Sequence, residues 1–140
     1  MIFLPDTNAW IRFLNPGENR VKDHFLSTDS SAIWLCSVVK AELFFGAMKS
    51  TRMAENLALL GQLFTAFSSV PFDDAAARKY GEIRSDLDRK GTPIGPNDLM
   101  IAAIALVHGL VVITHNTREF KRITGLKVED WEKLEQNSGA

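Results

Sequence analysis

Residues 2–10, Ile2-Phe3-Leu4-Pro5-Asp6-Thr7-Asn8-Ala9-Trp10, decide the fold. A short apolar run suited to a buried strand stops at one carboxylate, Asp6, and Thr7 and Asn8 then lead into a helical pattern. In open α/β sheets, ligands bind outside the carboxyl ends of the strands, so an acid just past a first strand stands where chemistry is expected. Taken alone, Asp6 is equally a helix cap.

The chain beyond Trp10 repeats the same alternation. Trp10, Ile11, Phe13 and Leu14 recur at near-helical spacing until Asn15-Pro16-Gly17, and Val21, Phe25 and Leu26 predict a second short helix. Ala32–Val38 reads as a second buried strand, followed by a helix over Lys40–Met48 with Leu43, Phe44 and Ala47 on one face and Glu42 in its first turn. Between Thr51 and Phe67, the residues Met53, Leu57, Leu60, Phe64 and Phe67 form a seam that must bury against another helix or against a second copy of the chain. Val70-Pro71-Phe72 predicts an edge strand. Asp73 or Asp74 caps a helix whose buried stripe is Ala76, Tyr80, Ile83 and Leu87, with Gly91 as its stop. The rigid turn GTPIGP (91–96) precedes Asn97 and Asp98, which open a very apolar helix over Leu99–His108. Leu110–Ile113 has the continuous aliphatic character of a strand buried on both faces of a parallel sheet. Thr114-His115-Asn116-Thr117 leaves that strand, Glu119 follows, and Leu126–Val128 is a last strand or turn.

Length and composition set the outer limits. The chain has 140 residues, 46% hydrophobic and 24% charged, which predicts one globular domain over 1–132 and a frayed tail over 133–140. With 16 basic and 17 acidic residues no global positive field attracts nucleic acid, so such a substrate needs a local basic patch or a metal. Cys36 is the sole cysteine, which excludes an intrachain disulfide and suits a reducing cytoplasm. The N-terminus does not read as a signal peptide, and the apolar stretch Met100–Thr114, broken by His108 and Gly109, falls short of the ~20 residues a membrane span needs. His24, His108 and His115 lack a zinc-ligand spacing, and neither a phosphate loop nor a nucleophile elbow is present.

Alternating strands and helices predict a three-layer α/β/α sandwich with a mostly parallel sheet. Right-handed crossovers gather the carboxyl ends of its strands at one edge, where Asp6, Glu42 and Asp98 would converge if the helix starts share it. Each has a plain alternative: Asp6 as a cap, Asp98 as a partner of the helix dipole, Glu42 as a solvated residue. Clustered carboxylates raise one another's pKa, and a hard divalent cation with oxygen ligands removes that cost. Acids without cysteine or histidine ligands therefore point to Mg²⁺ or Mn²⁺ and phosphate chemistry.

The blocks FLPDTNAW, SVVKAELFFGAMKS, GTPIGPNDLMIAAIAL and GLVVITHNTREFKRITGLKVEDW resemble, in this order and spacing, the PIN-domain ribonucleases of the VapC toxin group, over about Ile2 to Trp131. The resemblance implies a PIN-like fold with a carboxylate pocket that holds Mg²⁺ or Mn²⁺ and cleaves RNA by metal-assisted phosphodiester hydrolysis. Carried over by motif, Asp6, Glu42 and Asp98 are the catalytic acids, with Asp6 and Asp98 the metal contacts. Where the family often has a further aspartate this chain has Asn116, and Glu119, three residues on, is assigned the fourth acidic role. Thr7, Asn8, Thr114 and Asn116 support the pocket, and Lys49, Arg52, Arg118, Lys121 and Arg122 are candidate RNA contacts whose plain alternative is solvated charge. AELFFGAMKS, GTPIGP and NTREFKRITGL look closest to the subgroup associated with cleavage of initiator tRNA in its anticodon loop. The same resemblance implies a homodimer and a small cognate antitoxin whose tail occupies the active-site groove.

Two other readings compete. Haloacid-dehalogenase-like phosphotransferases also begin with an aspartate after strand one, but they place a second aspartate where this chain has Asn8. A decayed PIN-like module that only binds RNA or protein would leave the acids without a metal response.

Overall fold

The computed structural model describes residues 1–133, so the tail expected over 133–140 lies, except for Lys133, outside the described residues. The chain begins with β1 (Phe3–Pro5), α1 (Thr7–Leu14), α2 (Arg20–Ser27), a 3-10 turn (Ser30–Ala32), β2 (Leu35–Cys36), α3 (Ser37–Met48) and α4 (Met53–Ala66). It continues with β3 (Ser69–Val70), α5 (Asp74–Lys90), α6 (Pro96–His108), β4 (Val111–Ile113), α7 (Thr117–Phe120) and β5 (Lys127–Glu129).

β1, β4 and β5 form one parallel sheet and β2 and β3 a second parallel pair, joined to the first by a bridge between Phe3 and Ile33. Read across that bridge, the order is β3-β2-β1-β4-β5. The chain first winds outward from β1 to β3 and then returns to the other side of β1 with β4. The strand order thus reverses between β1 and β4, and their carboxyl ends flank the crevice where open α/β sheets bind ligands. The parallel α/β architecture agrees with the sequence expectation.

The core explains the local choices. Leu4, Ile33, Leu35, Val112 and Ile113 are buried from the sheet, and Ile101, Ala102, Ala103, Ile104 and Ala105 of α6 are buried almost all round. The small alanines let α6 lie close to its neighbours, which is why this helix shows little amphipathicity. Trp10 carries α1 into an aromatic cluster, with ring centroids 4.9 Å from Phe25 and 5.0 Å from Phe67.

Several boundaries differ from expectation. The second strand is only Leu35–Cys36, and Ser37 already belongs to α3. Val39, Leu43 and Ala47 are buried at i, i+4 and i+8, a helical spacing that a continuous apolar run conceals when a strand feeds directly into a helix. Glu42 consequently sits more than a turn inside α3 and not in its first turn. Of the expected seam, Leu60 is buried and Leu57, Phe64 and Phe67 pack half-buried against the core, with Leu63 buried beside them, whereas Met53 at the start of α4 is 47% exposed. The edge strand is Ser69–Val70, displaced off Pro71, which has no amide hydrogen to give. Asp73, not Asp74, caps α5 by accepting from the Ala76 amide at 3.0 Å.

Gly91 closes α5 with φ +68°, where a side chain is strained even though space around it is open. Gly91→Ala is expected to cost about 1 kcal/mol in chemical denaturation, the penalty of left-handed backbone for an L-residue. An unchanged midpoint would count against that geometry. Four of the five basic residues of α5 lie in local ion pairs, Arg78 and Lys79 with Glu82, and Arg89 and Lys90 with Asp86, while Arg84 donates to the Tyr80 hydroxyl, the pattern of a solvated face.

Candidate active site

The register of β1 on β4 builds the centre of the site. Pro5 lies opposite Ile113, and the Asp6 amide donates to the Ile113 carbonyl at 2.8 Å, so the next residues, Asp6 and Thr114, meet side by side. Asp6 is 5% exposed and both carboxylate oxygens are engaged: Oδ1 accepts from the Ala9 amide at 2.9 Å and Oδ2 from the Thr114 hydroxyl at 2.6 Å. The helix cap and the candidate pocket acid are therefore one residue. One oxygen closes α1 while the other anchors it to the exit of β4.

The remaining acids arrive from three other elements. Thr7, one residue past Asp6, donates its hydroxyl to Glu42 Oε1 at 2.8 Å, which ties α1 to α3. Asp98 lies in the first turn of α6, whose start is set by Gly95 and by Pro96 at the first helical position. The Asn116 amide donates to the buried Thr114 hydroxyl at 2.9 Å, and the Asn116 side chain donates from Nδ2 to Glu119 Oε2 at 2.7 Å. The Asn116 carboxamide thus holds one oxygen of Glu119.

Electrostatics show that the acids share one field. Burial, and then the charges of Asp6, Glu119 and Glu42, push Asp98 up from 3.8 to about 6, with the Asn116 side chain pulling the other way. Asp6 is likewise raised, chiefly by burial and further by Glu42 and Glu132, against the lowering bonds from Thr114 and Ala9. Among the described residues no ion pair reaches Asp6, Glu42, Asp98 or Glu119. The repulsion is left uncompensated by the chain's own cations.

This has a consequence for stability. Folded Asp98 keeps its proton up to about pH 6, whereas an unfolded aspartate loses it near 3.8, so between those values the folded chain binds more protons. Stability is therefore full below that window and falls as pH rises through it. The expected loss between pH 4.5 and 7.5 from this group is about 1–2 kcal/mol after discounting for solvent screening. Thermal melts across that range check the sign, and stability that rises steadily to pH 7.5 in wild type but not in Asp98→Asn would refute it.

A cleft of about 790 Å³ opens beside the acids, lined by Thr7, Asn8 and Ile11 of α1, Glu42, Phe45 and Lys49 of the α3 side, and Asn97 and Met100 of α6. Of the candidate basic contacts, Lys49 lines this cleft. Arg118 and Lys121 are exposed around α7. Arg52 faces Glu55 at 3.8 Å in an exposed local pair. Arg122 donates to the Pro93 carbonyl at 3.0 Å, which braces the turn ahead of α6. The structure thus gives Arg122 a structural bond.

Sequence reasoning missed Asp130 and Glu132. They follow β5, a true strand parallel to β4, and Glu132 adds to the field at Asp6. The signal was only the short run near Val128, too weak to fix a register. Among the described residues, the one set of three histidine, cysteine or carboxylate donors that lies within 4.8 Å is His115, Asp130 and Glu132, not the four acids of the pocket.

Known proteins share the sequence pattern and the fold of this chain. The PIN domain family model matches residues 3–126. The tRNA(fMet)-specific endonuclease VapC of Salmonella typhimurium is 40% identical over 129 residues, covering 92% of this chain and 97% of that protein. Ribonuclease VapC2 of Rickettsia felis is 34% identical, over 95% of this chain and 100% of that protein. The structure of DNA-bound VapBC from Salmonella typhimurium superposes with a TM-score of 0.86 at 39% identity, covering 94% of this chain and 98% of that one. The carboxylates at the β1–β4 switch point and these similarities lead to one conclusion: the chain belongs to the PIN-domain family, among the VapC ribonucleases.

Proposed function

We propose that this chain is a divalent-metal-dependent endoribonuclease, the toxin of a toxin–antitoxin pair, acting in the cytoplasm on initiator tRNA. The observation that carries the reading is the shared field of Asp6, Glu42, Asp98 and Glu119, with Asp98 raised to about 6 and in no ion pair among the described residues. The tRNA assignment rests on the activity named for the Salmonella relative.

The donor set fits Mg²⁺ or Mn²⁺: Asp6, Glu42, Asp98 and Glu119 offer oxygen alone and share one electrostatic field. A hard cation that keeps several waters needs only one or two carboxylates, here Asp6 and Asp98. When bound, such a cation supplies charge neutralisation and Lewis acidity for phosphodiester hydrolysis.

The chain's own residues prepare the place. The Ala9 amide and the Thr114 hydroxyl hold the two Asp6 oxygens in one orientation, so little reorganises when substrate arrives. The Thr7 hydroxyl fixes one oxygen of Glu42, and Asn116 fixes one of Glu119. Asp98 must lose its proton for full charge, so acid weakens the site as pH falls below about 6. Lys49 at the cleft meets the phosphate backbone, and its contribution weakens as salt rises.

The cleft wall formed by Ile11, Phe45 and Met100 offers an apolar seat for the antitoxin's tail, in keeping with the VapBC complexes among the structural relatives. The exposed Met53 and Leu59 of α4 support a homodimer. Sequencing RNA 5′ ends after induction tests the reading. Wild type is expected to generate new ends in the anticodon loop of initiator tRNA that Asp98→Ala does not. The same ends in both would sink it. The Asn116–Glu119 hydrogen bond supports an intact site over the decayed-site reading.

A further inference from the structure

We propose that His115, Asp130 and Glu132 form a second metal site, beside the nuclease acids but using none of them as ligands, that takes a divalent transition ion of the Zn²⁺ class. The three residues come from the exits of two neighbouring strands. Ile113 pairs with Glu129 in the β4–β5 register, and the Thr114 amide donates to the Glu129 carbonyl at 3.0 Å, which carries His115 up to the segment after β5.

His115 Nδ1 lies 3.1 Å from Asp130 Oδ2 and 3.2 Å from Glu132 Oε2. Two ligands of one ion at bond lengths near 2.1 Å stand roughly 3.0–3.4 Å apart in octahedral or tetrahedral geometry, so both separations fit a shared cation. A proton fits less well. One ring N–H directs its hydrogen along a single line, so it bonds one of the two facing oxygens well and leaves the other without a directed hydrogen bond. A divalent ion in place of that proton meets both.

The outer atoms of the group are already held. Glu132 Oε1 faces Arg12 Nε at 3.0 Å, and Asp130 Oδ1 accepts from the Glu132 amide at 2.9 Å. Each carboxylate therefore has one oxygen anchored and the other turned to the imidazole, the outer support that orients metal ligands. A cavity of about 20 Å³ touches all three residues, with Thr114 and Asn8 on its other walls, room on the scale of one ion or water. The mixed nitrogen and oxygen donors distinguish this place from the all-oxygen pocket, because imidazole suits Zn²⁺, Co²⁺ and Ni²⁺ where Mg²⁺ prefers oxygen alone. An ion here ties the loop that presents Asn116 and Glu119 to the end of β5.

Titrating Co²⁺ into Asp6→Asn/Asp98→Asn, which silences the nuclease pocket, tests the site by visible absorption and calorimetry. One Co²⁺ per chain is expected, displaced by Zn²⁺ and not by excess Mg²⁺, with affinity lowered by about tenfold or more on adding His115→Ala. Should that background fail to fold, Zn²⁺ is added to wild type and the ring signals of the three histidines followed by NMR. His115 is then expected to shift at substoichiometric metal while His108 does not. Binding unaltered by His115→Ala, no binding at all, or unmoved His115 signals would overturn the proposal.

Discussion

Asp98→Asn is expected to lower RNA cleavage by a factor on the order of 10²–10³, the scale of losing one charge-stabilising contact in a desolvated site, while leaving the fold intact. The same substitution is expected to stabilise the metal-free protein at pH 7.5. Wild-type Asp98 carries an unfavourable charge there, imposed first by burial and then by Asp6, Glu119 and Glu42, and the neutral amide removes both costs. The gain is about 1 kcal/mol or somewhat more once solvent screening is allowed for. Activity down and stability up is the signature of an acid kept for chemistry. Saturating Mg²⁺ should reverse the order, since a ligand at 100 times its dissociation constant stabilises wild type by roughly 2.7 kcal/mol and the variant less. Melts of both proteins with and without Mg²⁺, beside cleavage assays, decide the matter. A variant that is less stable without metal, or fully active, would contradict the assignment.

Trp10→Ala is expected to destabilise the chain by about 3–5 kcal/mol, a large share of the roughly 5–15 kcal/mol that holds a domain together. Trp10 is fully buried, and its ring meets Phe25, Phe67 and, at 6.1 Å, Phe13 edge to face. It therefore joins α1 to α2 and to the segment that follows α4. Its Nε1 has no hydrogen-bond partner among the described residues, so truncation forfeits area and ring contacts but no hydrogen bond. Trp10→Phe should accordingly lose only about 1 kcal/mol, because the aromatic cluster survives and an unpaired donor disappears. Urea denaturation separates the two substitutions. Equal losses would mean that the indole is not acting as an aromatic anchor. Since Asp6 caps the helix that Trp10 anchors, Trp10→Ala is also expected to cut cleavage at temperatures where the protein remains folded.

Much of the fold was legible because it rests on local pattern. The strand stopping at Asp6, the glycine stop at Gly91 and the all-apolar α6 each carry periodicity or backbone chemistry within a few residues of themselves. The displaced start of α3 also has a local cause. At Cys36–Ser37 a strand passes into a helix with no loop between them, and an unbroken apolar run has no internal mark for the change of period. The correction moved Glu42 deeper into α3, where Thr7 reaches it.

By itself, the sequence determined the acids and their order along the chain, the parallel α/β class and, through its motif blocks, the family. Which atoms meet was decided only by tertiary structure. The register of β1 on β4 sets Asp6 against Thr114 over a separation of 108 residues, and the register of β5 on β4 brings Asp130 and Glu132 to His115. The physical reason is that strand pairing is a long-range choice. It depends on which buried faces and backbone groups satisfy one another across the sheet, and no window of neighbouring residues contains both partners.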